Sequence, residues 1–170
     1  MRKRQSTFKV GDTVFYPSAG VGIIEAVEDV FISGTCDSCF VIRIDETRMT
    51  VKVPQGNVRR SGLRPLLSGR KLKELYRILA AKGNRRVTGG NWTDRCRELE
   101  RKINSGSCLA LGEVVRDLMR WKKASGLSFE ESMLLKTASN FLANEVAAIQ
   151  GIEPETAIDR IRSYVEVKAA

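Results

Sequence analysis

One tryptophan of the chain lies among arginines, and these residue types together suit contact with a nucleic acid. Trp92 follows a Gly89-Gly90 pair and Asn91, a good N-cap because its side-chain oxygen can accept a hydrogen bond from a free N–H of the first helical turn. Trp92 would then project from a helix start, where an indole can contact a base step while guanidinium groups hold phosphates. The alternative is that the indole packs its own helix against a core. The arginines of this stretch are Arg85, Arg86, Arg95 and Arg97.

The positive charge of the chain is concentrated around this stretch. The 170 residues carry a net charge of +9. Residues 1–67 contribute +3, residues 68–125 contribute +9 and residues 126–170 contribute −3. A localised basic region attracts phosphates, so it favours a polyanionic partner.

Composition and the start of the chain indicate a cytoplasmic protein. Apolar residues make up 42% of the sequence, enough for a buried core. No apolar run approaches the length of a membrane span, and the basic start at 1–6 leads into no apolar signal core. We expect a monomer without membrane contact.

The sequence has four cysteines and no histidine, so it offers few residues that could form a metal site or an active site. Cys36 and Cys39 have the spacing of a thiolate pair, but structural zinc sites usually bring a second close pair or histidines. Cys96 and Cys108 are distant from that pair, so we interpret 36–39 as a turn with two incidental thiols in a reducing cytosol. We predict no metal and no cofactor. A cysteine nucleophile would lack an imidazole base, and no paired carboxylates stand out, so we predict that the protein is not an enzyme.

Short strands separated by turn residues make up residues 1–67. They are predicted at 13–16, 21–27, 40–44 and 49–53. Several strands of this length without helical periodicity indicate a small twisted sheet or barrel of the Tudor or SH3-like type. The predicted fold class is therefore α+β, with a small Tudor/SH3-like β-barrel domain followed by an all-α helical bundle.

The predicted fourth strand alternates apolar and polar residues. Met49, Val51 and Val53 share one face, and Thr50 and Lys52 share the other. Such a strand can lie at a sheet edge, where its unpaired N–H and C=O groups are open to a partner strand. The alternative is an ordinary edge that Lys52 protects from pairing.

Helical periodicity begins at residue 68 and continues to the end of the chain. The predicted helices are 68–82, capped by Gly83; 92–104; 108–124; one between a capping box at Ser128 and Gly151; and one from Pro154 onwards. The segment 68–83 would connect the two domains. Trp121 falls on an apolar stripe and is assigned to the core or its margin, whereas Trp92 has no such stripe.

Both halves of the chain resemble one known family. The resembling residues of the first half are 8–14, Tyr16, Pro17, Gly20, 24–26 and 50–54. Those of the second half are Asn91, Trp92, 112–118 and 125–128, followed by the long helix. On these residues the sequence resembles the CarD/CdnL family of bacterial RNA polymerase-binding transcription regulators. Because two separate halves match in the same order, the resemblance is more specific than a single motif.

The resemblance implies that residues 1–67 form a Tudor-like RNA polymerase-interacting domain that docks on the β subunit. Lys52 matches a basic position that the family uses for docking. Val30 stands where some relatives have a second basic docking residue. The expected polymerase-binding residues are Thr50, Val51, Lys52, Val53 and Pro54.

The resemblance also implies that residues 68–170 form a helical domain that contacts promoter DNA. Trp92 corresponds to the tryptophan that the family wedges into the minor groove at the upstream edge of the transcription bubble. Arg95 and Arg97 match phosphate-holding positions, while Asp94 replaces a residue that is basic in some relatives. The expected DNA-binding residues are Trp92, Arg95, Arg97, Arg85 and Arg86.

We therefore expect a non-enzymatic transcription regulator that binds RNA polymerase and promoter DNA and stabilises the open complex. A wedge present only in the melted state favours that state, and phosphate contacts give it weak sequence preference. The alternative is an RNA- or ribosome-binding module with an SH3-like barrel. A third hypothesis is the polymerase-docking module of a transcription-repair coupling helicase, although the sequence has no G-x-x-x-x-G-K-[ST] loop for a motor of its own.

Overall fold

The chain divides into a β-sheet unit and a helical unit. The computed structural model describes residues 8–84 and 92–166. The boundary between the units lies between Leu66 and Leu67. None of the helices in the described ranges is long and apolar enough to cross a membrane.

In the described part of the first unit, five antiparallel strands form one sheet. The strands are β1 (Thr13–Tyr16), β2 (Gly20–Ile32), β3 (Thr35–Ile44), β4 (Met49–Pro54) and β5 (Arg64–Pro65). A 3-10 turn (Gln55–Asn57) and the one-turn helix α1 (Val58–Ser61) connect β4 to β5. Alternate side chains of the strands form the core, among them Val14, Ile24, Phe40, Ile42 and Val53. All four predicted strands are confirmed.

The sheet is open, which differs from the predicted closed barrel. Its strand order is β4-β3-β2-β1-β5, and within the described residues β4 pairs only with β3 and β5 only with β1. Closure would require the two edge strands to pair with each other. β5 has only two residues, and Pro65 has no N–H to donate, so this strand offers too few hydrogen bonds for a closing ladder.

The hairpin of β2 and β3 is longer than the sequence indicated. Ser33 and Gly34 have φ values of 52° and 85°. Positive φ at both central residues is what a two-residue type I′ turn requires, and it allows the strands to pair directly on either side. The prediction of a turn at 36–39 is therefore wrong, because Cys36 and Cys39 lie within β3.

The described part of the second unit has five helices, and the first of them is the predicted connecting segment. They are α2 (Gly69–Ala80), α3 (Trp92–Asn104), α4 (Cys108–Ser125), α5 (Phe129–Gln150) and α6 (Pro154–Glu166). Their apolar faces pack on one another, and the fully buried side chains include Leu75, Leu79, Leu111, Leu118, Leu142 and Ile161. The predicted α+β class, with the helices after the sheet, is confirmed.

Most helix ends follow the signals in the sequence. Glu131 N donates to Ser128 Oγ at 3.2 Å, and Ser128 N donates to Glu131 Oε2 at 2.9 Å, which completes the predicted capping box. Gly151 ends α5 in the left-handed conformation, as predicted. The end of α2 differs, because its C-cap is Ala81 in an extended conformation, not Gly83.

Gly83 allows a close approach between the backbone and a side chain of α4, and it does not cap α2. A Cβ at this position would lie 2.6 Å from Oδ1 of Asp117, a buried carboxylate of α4. Asp117 accepts hydrogen bonds from the backbone and side-chain nitrogens of Asn84 and from Nε of Arg116. The carboxylate cannot move away from a new methyl group without lengthening these bonds.

Gly83→Ala should therefore lower the free energy of unfolding by about 1–3 kcal/mol, as overpacking does. Gly69→Ala is the matched control, because a Cβ at the first residue of α2 meets no atom within 4 Å. The control should be neutral or stabilising by up to about 1 kcal/mol, since alanine restricts the unfolded chain. Urea denaturation followed by circular dichroism measures both, and equal shifts for the two variants would contradict the close approach at Gly83.

Candidate functional site

Trp92 is the first residue of α3, as the sequence predicted. Its side chain is 43% exposed. A residue at this position projects from the end of the helix, so part of the ring is available to a partner. The predictions that fall outside the described residues, and stay predictions, concern Arg85, Arg86, Gly89, Gly90 and Asn91.

The other part of the indole lines a groove of about 420 Å³ between α3 and α5. The prediction that Trp92 joins no apolar stripe is wrong, because the buried residues Cys96, Leu99 and Ile103 continue its face of α3 at helical spacing. The sequence concealed this stripe because it contains a cysteine. Burial raises the pKa of the Cys96 thiol, and the charge of Glu131 adds to the effect, so the thiol is neutral and packs as a small apolar group.

Exposed apolar side chains on α5 complete this groove. Phe129 is 76% exposed and Met133 is 48% exposed, and both line it together with Trp92. We call these three residues the Trp92 patch. Large exposed apolar groups that adjoin one another mark an interaction surface more often than isolated ones do.

Arg95 is held by a buried carboxylate. Its Nε donates to Oε1 of Glu131 at 3.2 Å, and the exposed fractions of the two side chains are 20% and 0%. A buried carboxylate is costly unless charged or polar donors surround it. Arg95 therefore fastens α3 to the start of α5, and this contact limits its reach toward a phosphate. The sequence identified Glu131 only as the last residue of the capping box.

Arg97 is the cation available beside the Trp92 patch. It is exposed and lines the same groove, and it forms no ion pair with any residue of the described ranges. Glu100 and Glu130 also line the groove. The groove therefore has mixed charge, and a phosphate would be attracted at Arg97 and repelled from the two carboxylates.

Helix α4 holds Asn84, the residue just before 85–91, through hydrogen bonds. Asn84 N and Nδ2 donate to the two oxygens of Asp117 at 3.1 and 3.2 Å. Trp121 Nε1 donates to the Asn84 carbonyl oxygen at 3.1 Å. Trp121 is partly buried, as predicted, and its polar edge holds the chain just before the basic stretch.

At the other candidate interface, β4 lies at one edge of the sheet, as predicted. Its alternation is also confirmed in part, because Thr50 and Lys52 are exposed while Val53 is only 3% exposed and packs in the core. Met49 shares the face of Val53 but is 58% exposed. A partner at this edge would contact the Val53 backbone instead of its side chain.

Lys52 is already paired on the face of the sheet. Its Nζ lies 2.8 Å from Oε2 of Glu28, and the side chains are 50% and 49% exposed. Because β3 lies between β2 and β4, this ion pair crosses the middle strand. The hydrogen bond to Glu28 raises the pKa of Lys52, and the carboxylate charge adds to it, so the ammonium group is oriented and charged.

The cysteines do not assemble into a metal centre in the described part of the chain. No group of three or more His, Cys, Asp or Glu side chains there could hold an ion. Cys36 is exposed and Cys39 is buried, because residues three apart in a strand face opposite sides of the sheet.

Comparison with known proteins gives matches to both units. The model described as "CarD-like/TRCF RID domain" matches residues 8–67, and the model described as "CarD, C-terminal domain" matches residues 74–162. The chain is 35% identical over 145 residues to the Bacillus subtilis (strain 168) protein named "Putative transcription factor YdeB", covering 85% of this chain and 94% of that protein. This chain belongs to the CarD family. Among solved structures, the chain is similar to the solution structure of the 72-residue N-terminal domain of Myxococcus xanthus CarD. The two sequences are 33% identical over an alignment that covers 34% of this chain and 77% of that domain, with a TM-score of 0.31.

CarD family proteins are transcription factors and not enzymes, so the prediction of a non-enzymatic regulator is confirmed at this level. The RID domain, whose model spans the sheet unit, is an RNA polymerase-interacting module, which agrees with the predicted Tudor-like domain. The match of residues 74–162 is specific to CarD by its description. It therefore favours a CarD protein over the docking module of a repair-coupling helicase.

The contrast between the two arginines of α3 gives a stability prediction. Arg95→Ala should lower the free energy of unfolding by about 1–3 kcal/mol, because it removes a donor from the buried Glu131 carboxylate. Arg97→Ala is the matched control on the same helix and should change it by less than about 0.5 kcal/mol, since Arg97 is exposed and unpaired within the described residues. Urea denaturation measures both, and two small effects would contradict a fastening role for Arg95.

Proposed function

We propose that this CarD protein docks on the β subunit of RNA polymerase through the β4 edge and stabilises the open promoter complex with Trp92. It would act in the cytoplasm, on the nucleoid, through the polymerase. The observation that carries the proposal is the half-exposed indole at the start of α3, beside Arg97, which forms no ion pair within the described ranges. Family membership supports the role in transcription.

In the proposed mechanism, the exposed part of the indole enters the minor groove at the upstream edge of the bubble. There the last base step has lost its stacking partner on one side, and the ring replaces part of that stack. Aromatic–base stacking is worth roughly 1–3 kcal/mol. Because the contact exists only when the DNA is melted, the whole of this energy favours the open complex.

The charges around the Trp92 patch restrict how the DNA can approach. Arg97 attracts a phosphate, whereas Glu100 and Glu130 repel one from the interior of the groove. The DNA backbone would therefore pass on the Arg97 side, with the indole edge directed to the bases. Phosphate contact and stacking carry little base information, so sequence preference would be weak.

The proposed polymerase contact uses the backbone of β4 and the ammonium group of Lys52. An edge strand offers unpaired N–H and C=O groups, which a strand of the partner can extend. Glu28 orients Lys52 but also neutralises it. An acidic residue of the β subunit would compete with Glu28 for the same ammonium group.

The wedge is tested with Trp92→Ala in a promoter-stability assay. The variant should shorten the lifetime of the open complex by roughly 5–150-fold, the factor that corresponds to 1–3 kcal/mol. Trp92→Phe keeps an aromatic ring and should retain part of the effect. Binding to the polymerase should be nearly unchanged in both variants, and an unaltered lifetime with Trp92→Ala would exclude the wedge.

The docking edge is tested with Lys52→Glu in a pull-down of the polymerase β subunit. The variant should bind more weakly, because it places a second carboxylate beside Glu28 and repels an acidic partner. Lys9→Glu makes the same charge change at another exposed position of the sheet unit and should bind as the unmodified protein does. Glu28→Gln releases Lys52 and should strengthen binding.

Equal binding by Lys52→Glu and Lys9→Glu would argue against this edge. If ribosomal particles co-purified in place of polymerase, the alternative of an RNA- or ribosome-binding module would be correct.

A further inference from the structure

A second groove of the helical unit lies among α4, α5 and α6 and has no part in the proposed DNA contact. Its volume is about 560 Å³. On α5 it is lined by Leu135, Lys136, Ser139 and Asn140, whereas the Trp92 groove uses 129, 130, 133, 134 and 137. The two sets share no residue, and at 100° per residue their mean directions around α5 differ by about 120°, although their edges adjoin. The second groove therefore is a separate site.

The rim of this groove is strongly basic. Lys122, Lys123 and Lys136 are exposed, and in the described ranges none of them forms an ion pair. Arg162 adds a fourth rim cation, although its Nη1 lies 3.1 Å from Oδ1 of Asp159. One carboxylate of the lining, that of Glu166, opposes them. The excess of unpaired ammonium groups favours an anionic ligand.

Arg120 places a further positive charge in the wall. Its Nη1 donates to the Ala81 carbonyl oxygen at 2.7 Å and its Nη2 to the Val165 carbonyl oxygen at 3.3 Å, while Nε is buried and has no partner among the described residues. Burial lowers the pKa of Arg120, and the charge of Arg116 lowers it further. This guanidinium is fixed between helices and acts on a ligand through its charge, since its Nη groups are already committed.

The inner lining is apolar with two polar side chains. Met119, Leu135 and Ile158 supply apolar surface, and Ser139 and Asn140 supply hydrogen-bonding groups. The side-chain amide of asparagine both donates and accepts, which suits the edge of a nitrogen heterocycle. A volume within the range of about 300–1,000 Å³ is typical of pockets that hold small molecules.

We propose that this groove binds a nucleotide. Its phosphates would lie on the rim at Lys122, Lys123 and Lys136, and its base would rest on the apolar lining with Asn140 at its edge. The match rests on the exposed cations of the rim, the apolar side chains of the lining and a volume suited to a small molecule. The site is independent of the Trp92 patch, so a bound nucleotide leaves the indole free for DNA.

The test measures binding of ATP and GTP to the full chain by calorimetry. The double variant Lys122→Gln, Lys136→Gln should weaken binding by about tenfold or more. Lys71→Gln, Lys73→Gln is the matched control, because it removes two exposed lysines from α2 in the same unit, outside the groove. Undetectable nucleotide binding, or equal losses in the two double variants, would overturn the proposal.

Three further probes identify which part of the ligand is recognised. Asn140→Ala should weaken binding of ATP but not of inorganic pyrophosphate, which has no base to contact Asn140. Pyrophosphate that binds as tightly as ATP would overturn the nucleotide proposal and leave a simple anion site. A short DNA duplex that displaces ATP, and whose own binding depends on Lys122 and Lys136, would assign the groove to the DNA backbone instead.

Discussion

The buried carboxylate of Glu131 is the constraint on which the candidate DNA site depends. An ionised group without water requires several donors, and here Ser128 N and Arg95 Nε supply them from two different elements. Because Arg95 comes from α3, the start of that helix must stay where the guanidinium reaches the carboxylate. Trp92 lies three residues earlier on the same helix, so this ion pair acts together with the buried Cys96, Leu99 and Ile103 to position the indole. Arg95, which the resemblance assigned to phosphate binding, therefore has a structural role in holding α3 against α5.

Local signals in the sequence predicted where the helices and strands lie. The features that the sequence did not predict depend on contacts between residues that are distant in sequence. The capping box at Ser128, the start of α3 at Trp92 and the edge position of β4 each follow from residue types a few positions apart. The Arg95–Glu131 pair joins residues 36 positions apart, so no local pattern could indicate it. The turn expected at 36–39 was also wrong. The two-residue turn at Ser33 and Gly34 sets the register of a long hairpin, and residues 36–39 pair within it as part of β3.

Charge is distributed differently in space than along the chain. The sequence concentrates positive charge in 68–125, yet the groove at Trp92 includes Glu100 and Glu130 and offers Arg97 as its exposed cation. Lys122 of α4 and Lys136 of α5, which form no ion pair within the described residues, lie at the other groove. Among the described residues, one exposed cation and one indole give little affinity for DNA on their own. Docking on polymerase would raise the effective concentration of the wedge at the promoter, and the weak contact then suffices.

Contacts within the helical unit hold the described residues on either side of 85–91. Asp117 and Trp121 hold Asn84 on one side, and Glu131 holds α3 through Arg95 on the other. Both sets of contacts lie within the helical unit, the first on α4 and the second on α5. Gly83 belongs to this arrangement, because only a residue without a Cβ lets the chain pass close enough for Asn84 to reach Asp117.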